Sequence, residues 1–338
     1  MKRVIYKLFL AILLVTLVAP VTNAQRDKLA QTGFKFLSVP TDARAAAMGE
    51  SFTSLTGNSG ALFYNPATMA FSTSMWDVSF GVNKWIADIN YLYGSAAFEP
   101  FGSLFGKFGI TVVNVDYGEL QGTIVDGSSP SGYRDVDMFK PTAFSFGVGY
   151  ANALSDKFSL GANIKYVRQN LGQSVIDIDS SGNLITEENA LNAIAFDFGI
   201  LYKTGFKSLN FGMSVRNFST ELKYKEAGFQ LPLLFKIGLS MDVLDFVDIN
   251  KEEHTFLVSV DASHPRDYPE QVFIGGEYTF MKTFSLRGGY SFPNDERNVT
   301  MGVGLNTSKF GFNLAVDYAY IPFGIFNNVH NLSVKFIY

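Results

Sequence analysis

From about residue 75 to the last residue, the chain is a series of short segments in which apolar and polar side chains alternate. A side-chain period of two is the pattern of a β-strand with one apolar and one polar face. Fourteen such segments are present, each near the roughly 9–11 residues that a tilted membrane-spanning strand needs. The predicted strands are 75–83, 88–98, 107–118, 142–150, 157–168, 191–203, 207–218, 232–243, 254–263, 271–280, 283–292, 297–306, 309–320 and 329–338. An even count predicts that both ends of the series lie on the same side.

The last segment, His330–Tyr338, has the clearest alternation. Its apolar face carries Leu332, Val334, Phe336 and Tyr338. It resembles the terminal aromatic strand of bacterial outer-membrane barrels, which the barrel insertion machinery recognises as a targeting signal. An ordinary edge strand of a soluble β-sandwich is the alternative interpretation.

The lengths of the connecting segments favour the barrel. Counting back from the terminal strand, alternate turns are mostly short, whereas the opposite set contains the long loops 119–141, 169–190 and 219–231. Outer-membrane barrels combine short periplasmic turns with longer outer loops. We therefore predict an all-β, fourteen-stranded antiparallel transmembrane barrel.

The two faces of each predicted strand differ as a lipid-embedded wall requires. In 309–320, one face is polar, with Asn313 and Asp317. The opposite, apolar face carries Phe310, Phe312, Leu314, Val316, Tyr318 and Tyr320. This alternation predicts that apolar side chains face lipid and polar side chains face the lumen.

The first 24 residues have the features of a secretory signal peptide. Three cations precede the apolar run Leu8–Val18, and small residues lead to a predicted cleavage after Ala24. The apolar run is too short to span a bilayer, and no later stretch offers about 18 uninterrupted apolar residues. We expect an exported protein without a transmembrane helix.

The composition of the chain limits the classes of function that it can have. The chain has no cysteine, which excludes disulfides, thiolate catalysis and thiolate metal sites. Without the three cations of the predicted signal peptide, 24 Lys and Arg face 31 Asp and Glu, a formal net charge of −7. A mildly acidic chain is not expected to bind nucleic acid.

Residues 25–74 do not alternate and predict a compact segment that precedes the barrel (75–338). Thr41 is the expected N-cap of a short alanine-rich helix that Gly49 ends. Asn65 is the expected N-cap of a second helix, with Pro66 as its first residue. The segment is too polar for lipid, so we expect it at the lumen.

Four short motifs in Phe34–Ala70 resemble, in this order, the N-terminal signature of the PorV/PorQ family, a branch of the FadL-like fourteen-stranded barrels. They are Phe36-Leu37, Asp42-Ala43-Arg44, Met48-Gly49 and Asn65-Pro66-Ala67. Two positions depart from the common pattern: Ala47 replaces a frequent glycine and Tyr64 a frequent tryptophan.

The resemblance implies that Phe34–Ala70 is a hatch folded into the lumen, with Arg44 and Asp42 tied to inward polar groups of the wall. It also implies a non-enzymatic outer-membrane component of type IX secretion. Such a protein binds or shuttles cargo through C-terminal signal domains, or partners with translocon or attachment proteins, in outer-membrane lipid. A FadL-like channel for hydrophobic small molecules is the alternative.

Two further patterns contain residue types that occur in catalytic and metal sites. His254, His264 and His330 lie on separate segments and predict no catalytic centre. The segment 177–188 fits the twelve-residue calcium-loop pattern, with Asp177, Asp179, Ser181, Asn183 and Glu188 as candidate ligands. Because its flanks predict strands, the other interpretation is a hairpin tip with acidic residues in water.

Overall fold

The computed structural model describes residues 32–100, 102, 105–181, 183–294 and 297–338. The predicted signal peptide and its cleavage position lie outside these residues. The strands are β1 (Trp76–Lys84), β2 (Asn90–Phe98), β3 (Lys107–Asp116), β4 (Leu120–Val125), β5 (Tyr133–Phe139), β6 (Thr142–Ala153), β7 (Phe158–Ile178), β8 (Leu184–Lys203), β9 (Asn210–Phe218), β10 (Leu222–Lys223), β11 (Gly228–Phe229), β12 (Leu234–Asp242), β13 (His254–Pro265), β14 (Gln271–Phe280), β15 (Phe284–Phe292), β16 (Val299–Asn306), β17 (Leu314–Ile321) and β18 (Val329–Ile337).

Fourteen of these strands form one closed antiparallel barrel, as predicted. Strand β18 closes the ring by pairing with β1, with Phe336 opposite Val78 and Leu332 opposite Val82. Trp76 and Tyr338 exchange both backbone hydrogen bonds. We call the end where β1 begins and β18 finishes the terminal end, and the opposite end the hairpin end. The two small sheets β4–β5 and β10–β11 lie in connections at the hairpin end.

Two details of the predicted strands are wrong. Most of the predicted loop 169–190 is strand, because β7 and β8 continue as a paired hairpin to Ile178 and Leu184. The predicted strand 309–320 begins only at Leu314. Phe310 and Phe312 therefore lie in the turn before it, where both are exposed. The turn includes Gly311 at φ 83°, a left-handed conformation that interrupts a strand.

The predicted difference between the two faces of the wall is present. On β18, Leu332 and Phe336 are exposed on the outer face, whereas Asn331, Ser333 and Lys335 are buried. The same pattern on the other strands gives a continuous apolar outer surface and a polar inner surface. No helix among the described residues is long and apolar enough to cross a membrane.

Residues 32–74, which we call the plug segment, lie inside this barrel. The segment contains helix α1 (Ala43–Ala47), and the remaining helical turns are of the 3₁₀ type: Lys35–Ser38, Ser59–Phe63, Pro66–Phe71 and, between strands, Ile86–Asp88, Val243–Phe246 and Ser308–Phe310. Plug residues form hydrogen bonds with inward groups of many strands around the ring, including Ser95, Ser159, Ser240, Glu277 and Asn331. Only a segment in the lumen can reach all of these strands.

Candidate functional site

The first motif residues of the plug segment begin α1. Asp42 is the N-cap, since its Oδ1 accepts a hydrogen bond of 3.1 Å from the backbone N–H of Ala45. The prediction that Thr41 caps this helix is therefore wrong by one residue. Asp42 is the stronger choice because its carboxylate also complements the positive end of the helix. Met48 and Gly49 follow the helix, and Gly49 has φ 64°.

A chain of alternating charges joins α1 to the wall on its terminal-end side. Arg44 donates two hydrogen bonds, of 2.8 and 2.6 Å, to the carboxylate of Glu277. Glu277 also pairs with Arg287, whose Nη1 lies 2.7 Å from Asp317. Lys335 then bridges Asp317 at 3.1 Å and Asp42 at 2.8 Å. We call these six side chains the ion-pair chain.

The ion-pair chain is balanced and shielded from water. It contains three cations and three carboxylates, and every member except Arg44 has a side chain no more than 8% exposed. Burial by itself would lower the pKa of the Arg44 guanidinium, but the carboxylates of Glu277, Asp317 and Asp42 raise it above its ordinary value. Buried charges are tolerated only when they are paired in this way. Arg44 and Asp42 are thus paired with inward groups of the wall, as expected.

Nearer the hairpin end, the turn after α1 is anchored by a second set of charges. Glu50 pairs with Arg297 at 2.7 Å, and its backbone carbonyl accepts a bond from Lys236. Burial by itself would raise the pKa of Glu50, but Arg297, Lys236 and Arg216 hold it below its ordinary value. One carboxylate oxygen of Asp261 accepts bonds from Phe52 N, Thr53 N and Thr53 Oγ1. These contacts fix the backbone of residues 50–53 to the wall.

The Asn65-Pro66-Ala67 motif fixes the other half of the plug segment. Asn65 is the N-cap of a 3₁₀ helix whose first residue is Pro66, as the sequence predicts. Its Oδ1 caps Ala67 N at 3.1 Å, while its Nδ2 donates to the carbonyls of Thr53 and Ile200. A single amide side chain therefore connects two parts of the plug segment to strand β8.

Three inward glycines form a trough for residues 47–49. A Cβ atom at Gly289 would overlap the backbone of Met48 and Gly49, one at Gly275 would meet the Met48 carbonyl, and one at Gly302 would meet Ala47. The absence of side chains on these adjacent strands lets α1 approach the wall closely. The glycine trough determines where α1 can lie.

We expect Gly289→Val to displace residues 47–49 and to destabilise the plug by about 1–3 kcal/mol, since overpacking cannot be relieved against backbone. Gly288→Val is the matched control, because Gly288 faces outward and a Cβ there meets only a carbonyl at 3.9 Å. The measurement is limited proteolysis of residues 32–74 in folded barrels, which are identified by their heat-modifiable migration on gels. Equal cleavage rates for the two variants would contradict the role of the trough.

The plug segment separates two cavities in the lumen. One, of about 240 Å³ at the terminal end, is lined by Arg44, Glu277 and Arg287. The other, of about 530 Å³ at the hairpin end, is lined by Glu50, Lys236 and Arg297 together with aromatic side chains. A third cavity, of about 460 Å³ and almost entirely apolar, lies on the outer surface of the wall around Leu160 and Phe198. The terminal-end cavity is thus mostly charged and polar, the hairpin-end cavity combines charged with apolar side chains, and the almost entirely apolar cavity faces lipid.

The remaining predicted site residues lie apart from these charges. Phe36 is buried in an apolar cluster with Phe34, Tyr91 and Tyr93, and Leu37 packs against it. On the terminal strand, Tyr338 stacks on Trp76 with ring centroids 5.2 Å apart. His254 and His264 lie at opposite ends of β13 and His330 lies on β18. His254 and His330 each form a hydrogen bond with a neighbouring tyrosine on the exposed face.

The predicted calcium-loop residues do not converge. Asp179 caps the turn of the β7–β8 hairpin by accepting bonds from Ser181 N and Asn183 N. Glu188 lies opposite Gln173, three residues along β8 from the partner of Asp177. Across the described residues, no group of three or more His, Cys, Asp or Glu is placed to hold a metal ion. The geometry is that of the hairpin tip.

Sequence reasoning missed several residues of the site. Arg287, Lys236 and Asp261 were not singled out, although each is a lone charge at an inward position of an alternating strand. That pattern is the signal that identifies them. It does not identify their partners, which lie on other strands for Arg287 and on the plug segment for Lys236 and Asp261.

The family model described as "Type IX secretion system protein PorV" matches residues 22–260. No curated protein gives a significant match. Among solved structures, the toluene transporter TodX of Pseudomonas putida is similar with a TM-score of 0.60 and 14% identity, over 88% of this chain and 98% of that chain. The toluene transporter TbuX of Ralstonia pickettii has a TM-score of 0.58 and 13% identity, over 88% and 99%. A FadL homologue of Pseudomonas aeruginosa has a TM-score of 0.54 and 13% identity, over 88% of this chain and 99% of that chain. At these identities the structures show a common fold.

Proposed function

Because the chain belongs to the PorV family of type IX secretion proteins, an outer-membrane barrel family, we propose that it acts in secretion by binding protein partners at its hairpin end. In this proposal it is a non-enzymatic component, and the apolar outer face contacts outer-membrane lipid. The partners are cargo C-terminal signal domains or proteins of the translocon or attachment complex. The hairpin end faces the cell exterior.

The observation that carries this proposal is the surface of the projecting β7–β8 hairpin. Its strands continue about eight residues beyond the wall, and Ile176, Ile178 and Ile185 are 54%, 46% and 42% exposed there. The neighbouring β4–β5 hairpin exposes Val125 at 91%. Apolar side chains that project beyond the membrane are characteristic of protein interaction sites.

The side chains that line the lumen favour a role in secretion over the alternative function, a channel for hydrophobic molecules. A hydrophobic ligand requires a largely apolar, concave site. The terminal-end cavity is instead lined mostly by charged and polar side chains, and the hairpin-end cavity combines charged with apolar side chains. The plug segment between them is fixed by ion pairs that include Arg44–Glu277 and Glu50–Arg297. The similarity to these transporters therefore supports the fold of this chain and not a shared substrate.

We expect Ile176→Ser/Ile178→Ser/Ile185→Ser to reduce recovery of co-purifying partner proteins at least tenfold, since removal of anchor side chains from an interface costs about 1 kcal/mol or more each. The measurement is quantitative mass spectrometry of a detergent pull-down from the native organism. Ser180→Ala/Thr186→Ala, on the same hairpin, is the matched control. Unchanged recovery, or a lone barrel that carries a bound hydrophobic molecule, would contradict the proposal.

A further inference from the structure

The charges inside the hairpin-end half of the lumen are not balanced. Among the described residues there, four carboxylates are present, and three of them form ion pairs: Asp197 with Lys165 at 2.8 Å, Glu50 with Arg297 at 2.7 Å, and Asp267 with Lys35. The fourth carboxylate, Asp261, interacts electrostatically with Lys236. Arg216 is the fifth of these cations and, among the described residues, forms no ion pair. This contrasts with the balanced ion-pair chain at the terminal end.

Arg216 is buried, with only 8% of its surface exposed, and its donors are largely unused. Nη2 lies 3.5 Å from the carbonyl of Leu37, at the limit for a hydrogen bond. Within the described part of the chain, Nε and Nη1 have no hydrogen-bond partner. The guanidinium also lies 5.5 Å from the ring centroid of Tyr64. A buried guanidinium with two unused donors is costly unless another group satisfies it.

Arg216 borders a small cavity between the plug segment and the wall. The cavity has a volume of about 30 Å³ and is bordered by Arg216, Lys165, Phe36 and Phe63. The hydroxyl groups of Thr111 and Ser145 also line it. Since a buried water needs roughly 10–15 Å³, the space holds two waters or one monatomic ion with a water.

We propose that this cavity binds a chloride-sized anion. The anion accepts hydrogen bonds from Arg216, supported by the hydroxyls of Thr111 and Ser145, and it neutralises the excess positive charge. A carboxylate or phosphate group is too large for the cavity. Asp197 lines the same space, but its oxygens already accept bonds from Lys165, Asn163 and Asn217. This site is independent of the secretion proposal.

The anion has a structural consequence for the plug segment. Arg216 reaches the carbonyl of Leu37, and Phe36 and Leu37 line the same cavity. Ligand binding to the folded state stabilises it in proportion to the logarithm of ligand concentration. Loss of the anion therefore loosens residues 36–41 from the wall before the barrel opens.

The test uses the full barrel purified in detergent, in sodium gluconate or sodium chloride at equal ionic strength. We expect chloride to raise the midpoint of heat modification on gels by roughly 3–5 °C in a saturable manner, and to slow hydrogen exchange at residues 36–41. Arg216→Met removes this response, and Arg168→Met, which changes an exposed arginine, retains it. Equal midpoints and exchange rates for the wild type in both salts overturn the proposal.

A crystallographic measurement on the wild type does not depend on the folding of any variant. Crystals soaked in bromide are expected to show an anomalous peak between Arg216 and the hydroxyls of Thr111 and Ser145. Two water molecules at this position with no anomalous signal overturn the proposal. Arg216→Lys retains the charge with fewer donors, so we expect it to show a weaker but measurable chloride response.

Discussion

Replacing Glu277 with glutamine is expected to destabilise the folded protein by about 3–5 kcal/mol. The substitution preserves the shape of the side chain but removes the negative charge between Arg44 and Arg287. The partly buried guanidinium of Arg44 and the buried one of Arg287 then lose this carboxylate, and Arg287 retains its ion pair with Asp317. The measurement is the urea concentration at which half of the protein loses heat-modifiable migration in detergent or lipid vesicles.

A matched control and a double variant separate this effect from general sensitivity to substitution. Glu187→Gln breaks an ion pair with Lys225 in which both side chains are about half exposed, so we expect a loss of about 0.5 kcal/mol or less. Arg44→Met/Glu277→Gln removes both members of one pair and should be more stable than Glu277→Gln alone. A Glu277→Gln variant as stable as Glu187→Gln would show that the ion-pair chain contributes little.

Leu332→Arg is expected to destabilise the barrel by about 2–4 kcal/mol, because it places a charge on the lipid-facing side near the middle of a membrane strand. Leu332 lies on the outer face of β18, at the fourth of its nine residues, opposite Val82 of β1 and Tyr318 of β17. The measurement is the free energy of unfolding from lipid vesicles by denaturant titration, together with the fraction that inserts.

His330→Arg is the control for the depth of the substituted residue in the membrane. His330 lies on the same face of the same strand, two residues nearer the hairpin end, where it contacts Tyr318 and Tyr320. An arginine near the interface is expected to cost only about 0–1 kcal/mol. Equal losses for the two variants would contradict the assignment of the outer face of β18 to lipid.

The strands show how far local pattern determines this fold. Each of the fourteen predicted strands is present, most within two residues of its predicted bounds, and the even count places the two ends of the series together. Alternation is a local property, since neighbouring side chains of a strand must point to opposite faces. The errors occur where a turn interrupts the pattern, at Phe310 and Phe312, or where pairing continues beyond the membrane, in β7 and β8.

The plug segment shows where local pattern is insufficient. The caps at Asp42 and Asn65 follow from short-range chemistry, and Asn65 was correctly predicted. The sequence also indicates that Arg44 requires a buried partner. It does not indicate that the partner is Glu277, which is 233 residues away, because several inward carboxylates satisfy the same requirement.

The terminal strand His330–Tyr338 illustrates the same division. The sequence by itself determined its two faces, the number of strands and the polar character of the lumen, because these depend on the side-chain period and on neighbouring residues. Only the tertiary structure decided that β18 closes onto β1, that Lys335 joins Asp42 to Asp317, and that Nε and Nη1 of Arg216 have no hydrogen-bond partner among the described residues. Those outcomes depend on ring closure around the plug segment, which brings distant charges together in a region where water cannot separate them.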